Sequence, residues 1–193
     1  MLRVQERENR RLRKLLSLKE HHDFPTAAAQ VIGEDALGWY RALIIDRGSQ
    51  DGVLPGMPAN APAGVVGRVS TTSGSVSKVM LITDPGLSLD CRVARTRDRG
   101  VLSGYLAKQC IVRYVDLGSG VKSGDEVVTS GLDGIFPRNL PVGTVDQVRK
   151  DSQGMFVEAL VKPSVNFSEL EEVLIILGAR DGFDIRPGLD DKR

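Results

Sequence analysis

Two stretches of this chain, seventy residues apart, spell out the same backbone. In the first, Asp46-Arg47-Gly48-Ser49 runs into Gly52-Val53-Leu54-Pro55-Gly56-Met57, and Gly64-Val65-Val66-Gly67-Arg68-Val69 follows. In the second, Asp116-Leu117-Gly118-Ser119 runs into Gly120-Val121-Lys122-Ser123-Gly124-Asp125, and Pro141-Val142-Gly143-Thr144-Val145 follows. Each reads as a strand end, a Gly-Ser turn, a Gly-Val-x-x-Gly turn and a new strand opening on glycine and valine. Glycine supplies the positive-φ positions that such turns need. The pattern specifies two small β modules, and nothing in it is chemically reactive.

The rest of the chain agrees with that grammar. Aromatic residues make up only 5%, while valine and 21 glycines carry the pattern, a composition that favours short strands and tight turns. Candidate strands are 27–32, 40–46, 65–69, 76–82, 87–94, 101–106 and 110–116, then 126–129, 143–149, 155–161 and 172–177. Turn residues fall between them, including Ser73-Gly74, Asp84-Pro85-Gly86, Asp133-Gly134 and Gln153-Gly154. Many short strands with no helix-length period between them predict a mainly β fold of small barrels or a sandwich, not parallel βαβ units.

The N-terminal residues follow a different rule. Leu2, Gln5, Asn9, Leu12 and Leu16 recur at spacings of 3, 4, 3 and 4, a heptad seam in which Asn9 takes a position that can fix register. Two and a half heptads do not hold a dimer alone, so this stem reads as the end of a longer coiled coil. Phe24-Pro25 ends it, because the residue before proline is pushed out of the helical region. The expected organisation is a helical stem over 1–23, a first six-stranded barrel over 24–86, a second over 87–177, and a disordered tail over 178–193. Strand exchange between the barrels is left open. Residues 1–20 carry a net charge of +4 on a chain whose total is +1, so the remainder is mildly acidic. That balance, with so few aromatics, argues against nucleic acid.

A search for chemistry finds little. The only histidines, His21 and His22, are adjacent at the stem end and make a poor ligand pair. No Gly-x-Ser-x-Gly, His-Glu-x-x-His, Walker or Cys-x-x-Cys sequence occurs. Catalytic, metal and cofactor residues are therefore expected to be absent. Cys91 and Cys110 fall in apolar strands and read as small buried hydrophobes, with a disulfide between them left open. Contact with a partner is expected instead at exposed aromatics. Trp39-Tyr40 is the densest pair and points one ring out, and Phe136 stands in a long loop before Pro137.

At this point the residues resemble a known family. Val31-Ile32-Gly33, Trp39-Tyr40-Arg41, Ile45-Asp46-Arg47-Gly48-Ser49 and Leu81-Ile82-Thr83-Asp84-Pro85 look like the extracytoplasmic part of MreC, the rod shape-determining proteins. So do Gly124-Asp125-Glu126-Val127-Val128-Thr129-Ser130-Gly131, Gly134-Ile135-Phe136-Pro137 and Leu140-Pro141-Val142-Gly143, and the likeness covers about residues 2–177. The resemblance implies a non-enzymatic scaffold of cell-wall elongation on the periplasmic face of the inner membrane, anchored by a helix upstream of Met1. It implies two β-barrels without catalytic residues and self-association into dimers or filaments. Implied partners are a class B penicillin-binding protein, MreD, MreB and RodA. Leu2, Asn9, Leu12 and Leu16 are then the self-association residues. The alternatives are a periplasmic adaptor of an export system and, less well supported, a hydrolase on a double barrel.

Overall fold

The structure is a computed structural model and describes residues 24–35 and 40–178. The stem seam of Leu2, Asn9, Leu12 and Leu16, together with Trp39 and residues 179–193, lies outside the described residues. Twelve strands form two closed antiparallel barrels of six strands each. They are β1 (Thr26–Glu34), β2 (Ala42–Ile45), β3 (Pro58–Ala61), β4 (Gly64–Thr72), β5 (Ser77–Leu81) and β6 (Ser88–Val93). Then come β7 (Arg99–Gly104), β8 (Cys110–Asp116), β9 (Glu126–Thr129), β10 (Pro141–Lys150), β11 (Phe156–Pro163) and β12 (Glu172–Ile176). Closure leaves every strand paired on both sides over part of its length, which removes the long open edges of a flat sheet.

The first barrel runs in the order β1-β12-β3-β4-β5-β2, and the second in the order β10-β11-β8-β7-β6-β9. The last strand therefore belongs to the first barrel, not to the second as the division at residue 87 supposed. β12 pairs with β1 (Ala28 opposite Leu174) and with β3 (Asn60 opposite Leu174) and closes the gap between them. Read as rings, the two orders coincide once β12 is matched to β6, and β1 through β5 to β7 through β11. The barrels share one topology. The strand that begins the second barrel is delivered to the first from the far end of the chain.

Eleven strands coincide with the alternating apolar runs, while β3 does not. Its sequence Pro-Ala-Asn-Ala carries no alternation of apolar and polar residues, because both of its faces are buried. Ala59 and Ala61 face the first core, and Asn60, also buried, takes the opposite face with its register partner Val65. The first core gathers residues such as Leu43, Ile45, Val66, Val79 and Ile175. The second gathers Leu89, Leu102, Val112, Val127, Val142 and Val161. Each such side chain contributes about 1.5–3 kcal/mol by leaving water.

The barrels meet along an apolar seam. Val65 of β4 and Ile82 of the connector pack into the second barrel's core, and Phe167 packs against both cores. The Cys110 thiol donates to the Ile82 carbonyl (3.3 Å), and the Gly104 amide donates to the Asp84 carbonyl (3.2 Å). A side chain at Gly104 would meet the Thr83 and Asp84 backbone at 2.2–2.3 Å, so only glycine lets the two chains approach there.

The repeat seen in the sequence is a repeat in space. The Gly56 amide donates to the Val69 carbonyl, and Val69 returns a bond to the Met57 carbonyl, both at 2.8 Å. The Gly124 amide donates to Val145, and Val145 returns a bond to Asp125, again at 2.8 Å. Gly56 and Gly124 both take positive φ, at 95° and 91°. Directly after each anchored valine comes a bulge, at Val69/Thr71 on β4 and at Val145/Gln147 on β10.

Candidate partner-binding surface

Among the described residues no cluster of His, Cys, Asp and Glu is placed to hold a metal ion. Cys91 and Cys110 are free and buried, so the disulfide left open does not form. Burial pushes the Cys110 thiol up to about 12 and raises Cys91 further, which keeps both as inert thiols. Asp125, 5% exposed, is held below the usual carboxylate range, first by the Arg95 guanidinium, which bonds it at 2.7 and 2.8 Å, and also by the Lys122 amide at 2.9 Å. That carboxylate is fully engaged in closing a turn.

Phe136, expected to be exposed, is buried. It is 1% exposed and belongs to the second barrel's core. The Asp133 carboxylate accepts bonds from the Ile135 and Phe136 amides (2.9 and 3.1 Å), turning the loop back so that the ring falls inward. The Thr129 hydroxyl, bonded to the Pro137 carbonyl, fixes the other side of that loop. A ring in a loop rich in Gly and Asp looks exposed in sequence, and this turn buries it. Tyr40 is half-buried, with its hydroxyl 3.3 Å from that of Ser70, and faces the side of the first barrel. The two rings are thus not brought together.

The exposed aromatic surface lies on the second barrel. Between Val112 and Val115 on β8 the register against β11 slips, and Arg113 and Tyr114 together face the single residue Glu158. Tyr114 adopts φ 63°, a left-handed conformation costly for a bulky residue. The bulge throws its ring outward to 62% exposure, edge-on against Phe156 at 5.7 Å between centroids. Met155 beside it is 61% exposed, and Leu106 is exposed as well. Glu158 sits between Arg149 (2.9 Å) and Arg113 (3.4 Å), and the Arg149 guanidinium lies 5.6 Å from the centre of the Tyr105 ring. This face joins tyrosines, a phenylalanine and arginines locked by mutual bonds, the side chains in which binding energy concentrates at protein interfaces.

The sequence held a signal for this site. In Cys110-Ile-Val-Arg-Tyr-Val-Asp, Val112 and Val115 both point inward although three residues apart, which regular alternation forbids. Such a break marks a bulge, and the residue inside it is the one re-aimed.

The described residues thus form a closed double barrel with an exposed aromatic face on its second half. The family model of the rod shape-determining protein MreC, barrel core, matches residues 31–177, and the chain belongs to that family, which is one of non-enzymatic structural proteins. The chain is 30% identical over 176 residues to the cell shape-determining protein MreC of Listeria monocytogenes, covering 88% of this chain and 60% of that protein. It is 32% identical to the Escherichia coli protein of the same name, covering 93% of this chain and 49% of that one. It thus spans about half the length of these relatives. A solved MreC structure superposes with a TM-score of 0.82 at 30% identity, covering 90% of this chain and 99% of that one. Another, the major periplasmic domain from the cell shape-determining filament MreC, matches at 0.69 and 25% identity over 79% and 95%. The MreC of a complex with a penicillin-binding protein from Helicobacter pylori matches at 0.65 and 15% identity, over 80% of this chain and 99% of that one, a likeness of fold alone. Family membership sets aside the export adaptor and the hydrolase.

Proposed function

We propose that this chain is the periplasmic body of a rod-shape scaffold that recruits a class B penicillin-binding protein to the elongation machinery. The contact is the second-barrel face built on Tyr114, Phe156 and Arg149. Self-association runs through the stem seam of Leu2, Asn9, Leu12 and Leu16, and a membrane helix upstream holds the body at the inner membrane, where MreD, RodA and, across the membrane, MreB complete the assembly. The observation that supports the reading best is the strained, outward Tyr114. A protein does not keep a tyrosine at positive φ and mostly in water for packing, and strain of this kind gathers at functional positions. The surrounding ion pairs leave the side chains little freedom to lose on binding. Tyr114→Ala is expected to weaken binding of the class B transpeptidase by about 1–2 kcal/mol in titration calorimetry while the thermal midpoint barely moves. Unchanged affinity with a folded variant refutes the site.

A further inference from the structure

The second barrel carries an open strand edge, whereas in the first barrel the matching edge is covered by that barrel's own chain. β10 pairs with β9 only through Pro141–Thr144, yet it runs on along β11 as far as Lys150 opposite Val157. Residues 146–150 are all exposed. The Asp151 amide donates to the Phe156 carbonyl (3.0 Å), which sets the alternation: Arg149 and Gln147 bond toward β11, and the backbones of Val148 and Lys150 point away from it. Among the described residues nothing pairs with that outer side. In the first barrel the matching hairpin turns at once after Thr72 opposite Ser77, and the loop after Gly48 closes on it. There the Ser49 amide donates to the Ser73 carbonyl (2.9 Å) and the Gln50 amide to the Gly74 carbonyl (3.1 Å). The matching loop of the second barrel keeps to itself. The Ser119 amide bonds back to Asp116, and a side chain added at Gly118 would meet nothing within 4 Å.

We infer that the free edge of β10 pairs antiparallel with the same edge of a second copy of this chain, about a twofold axis at Val148. The occupant follows from the charges. The edge reads Asp146-Gln147-Val148-Arg149-Lys150. Pairing about Val148 sets Val148 against its own copy, Asp146 against Lys150, and Lys150 against Asp146. Shifting the axis to Lys150 sets lysine against lysine, and shifting it to Asp146 sets aspartate against aspartate, arrangements that like-charge repulsion disfavours. The register centred on Val148 is the one of these that sets no like charges opposite each other and pairs Asp146 with Lys150 twice, as a self-complementary twofold interface requires. A bulge and a lysine are also devices that discourage edge pairing. Here the lysine lies opposite an acid in the symmetric register, so it selects that register against the others. The contact is short and therefore weak alone. It gains when another contact, such as the stem, already holds two chains close. The inference does not depend on the transpeptidase face.

The test uses the whole 193-residue chain. Oxidative cross-linking of Val148→Cys is expected to give covalent dimers, because the Cα atoms of a hydrogen-bonded antiparallel pair lie about 5.5 Å apart, within disulfide range. Ser152→Cys at the hairpin tip, distant from its own copy in this register, stays monomeric. In sedimentation, Asp146→Lys alone and Lys150→Asp alone raise the dissociation constant of the edge contact at least tenfold, and the double swap restores it. Four results overturn the inference: no cross-link at 148, equal cross-linking at 148 and 152, single swaps that behave as wild type, or a double swap as weak as the singles. Association through residues 1–23 responds to none of these substitutions and is thereby told apart.

Discussion

The two barrels solve one turn in two ways. After the shared glycine, the first barrel places Met57, whose sulfur accepts from the Leu54 amide at 3.3 Å. The second places Asp125, whose carboxylate accepts from the matching Lys122 amide at 2.9 Å and binds Arg95 as well. The backbone bonds around each are the same, to within a tenth of an ångström. The difference teaches that the fold demands an acceptor at this position and leaves its chemistry free. The first barrel fills the position with apolar volume and seals its hairpin. The second fills it with charge, and it leaves its hairpin standing clear and its arginines and tyrosines at the surface.

The largest expected effect comes from the second core. Phe136→Ala is expected to cost about 3–5 kcal/mol in denaturant unfolding, the range for deleting a buried aromatic ring, and no residue of the first barrel matches that ring in size among the fully buried side chains. Matched glycines come next. A Cβ at Gly67 would lie 1.8 Å from the Met80 carbonyl oxygen, and one at Gly143 would lie 2.3 Å from that of Lys162. Gly67→Ala and Gly143→Ala should each cost about 2–3 kcal/mol, with Gly67 the worse, and an order reversed would break the equivalence drawn between β4 and β10.

The ion pair separates the barrels by pH. Arg95 holds Asp125 below its ordinary value of about 3.9, so its contribution is complete above that pH and is lost as the pH falls through the lower folded value. The hydrogen-exchange protection factor of the Val145 amide should therefore fall more on acidification than that of the Val69 amide, whose turn rests on Met57. Asp125→Asn should cost about 2 kcal/mol at neutral pH and abolish that difference. The smallest effect is expected at the surface. Tyr114→Asn, a residue more tolerant of positive φ, should change stability by less than about 0.5 kcal/mol, because the strain relieved offsets the lost contact with Phe156.

Much of the fold was legible in the sequence because its turns are glycine-coded and most strands alternate. The double use of Gly-Val-x-x-Gly announced two modules, and the bonds at Val69 and Val145 show why the spacing is kept. β3 was not legible, since a strand buried on both faces by alanines and an asparagine carries no period. The membership of β12 was not legible either, because strand pairing across the whole chain leaves no local trace. Of the candidate contact residues, Phe136 is buried and not exposed because an Asx turn, not hydropathy, decides its direction. Tyr114 was overlooked because the broken alternation around it looks like an ordinary apolar run until the register is known.

The placement of β12 has a consequence for how the molecule comes into being. As the chain emerges from its N-terminus, the first barrel has five of its six staves and a slot between β1 and β3 that only residues 172–176 fill. The second barrel has all its staves once Pro163 is out. The later barrel is therefore the earlier one able to close, and the first waits, half-made and with two sticky margins, for a strand nearly 150 residues downstream of its own opening strand. When that strand docks, the Leu177 amide bonds the Pro25 carbonyl at 2.8 Å, and the start and finish of the folded body are stitched side by side. Emergence of residues 172–177 is thus the event that locks the first barrel, and a chain cut short before residue 172 retains a whole second barrel on an unfinished first.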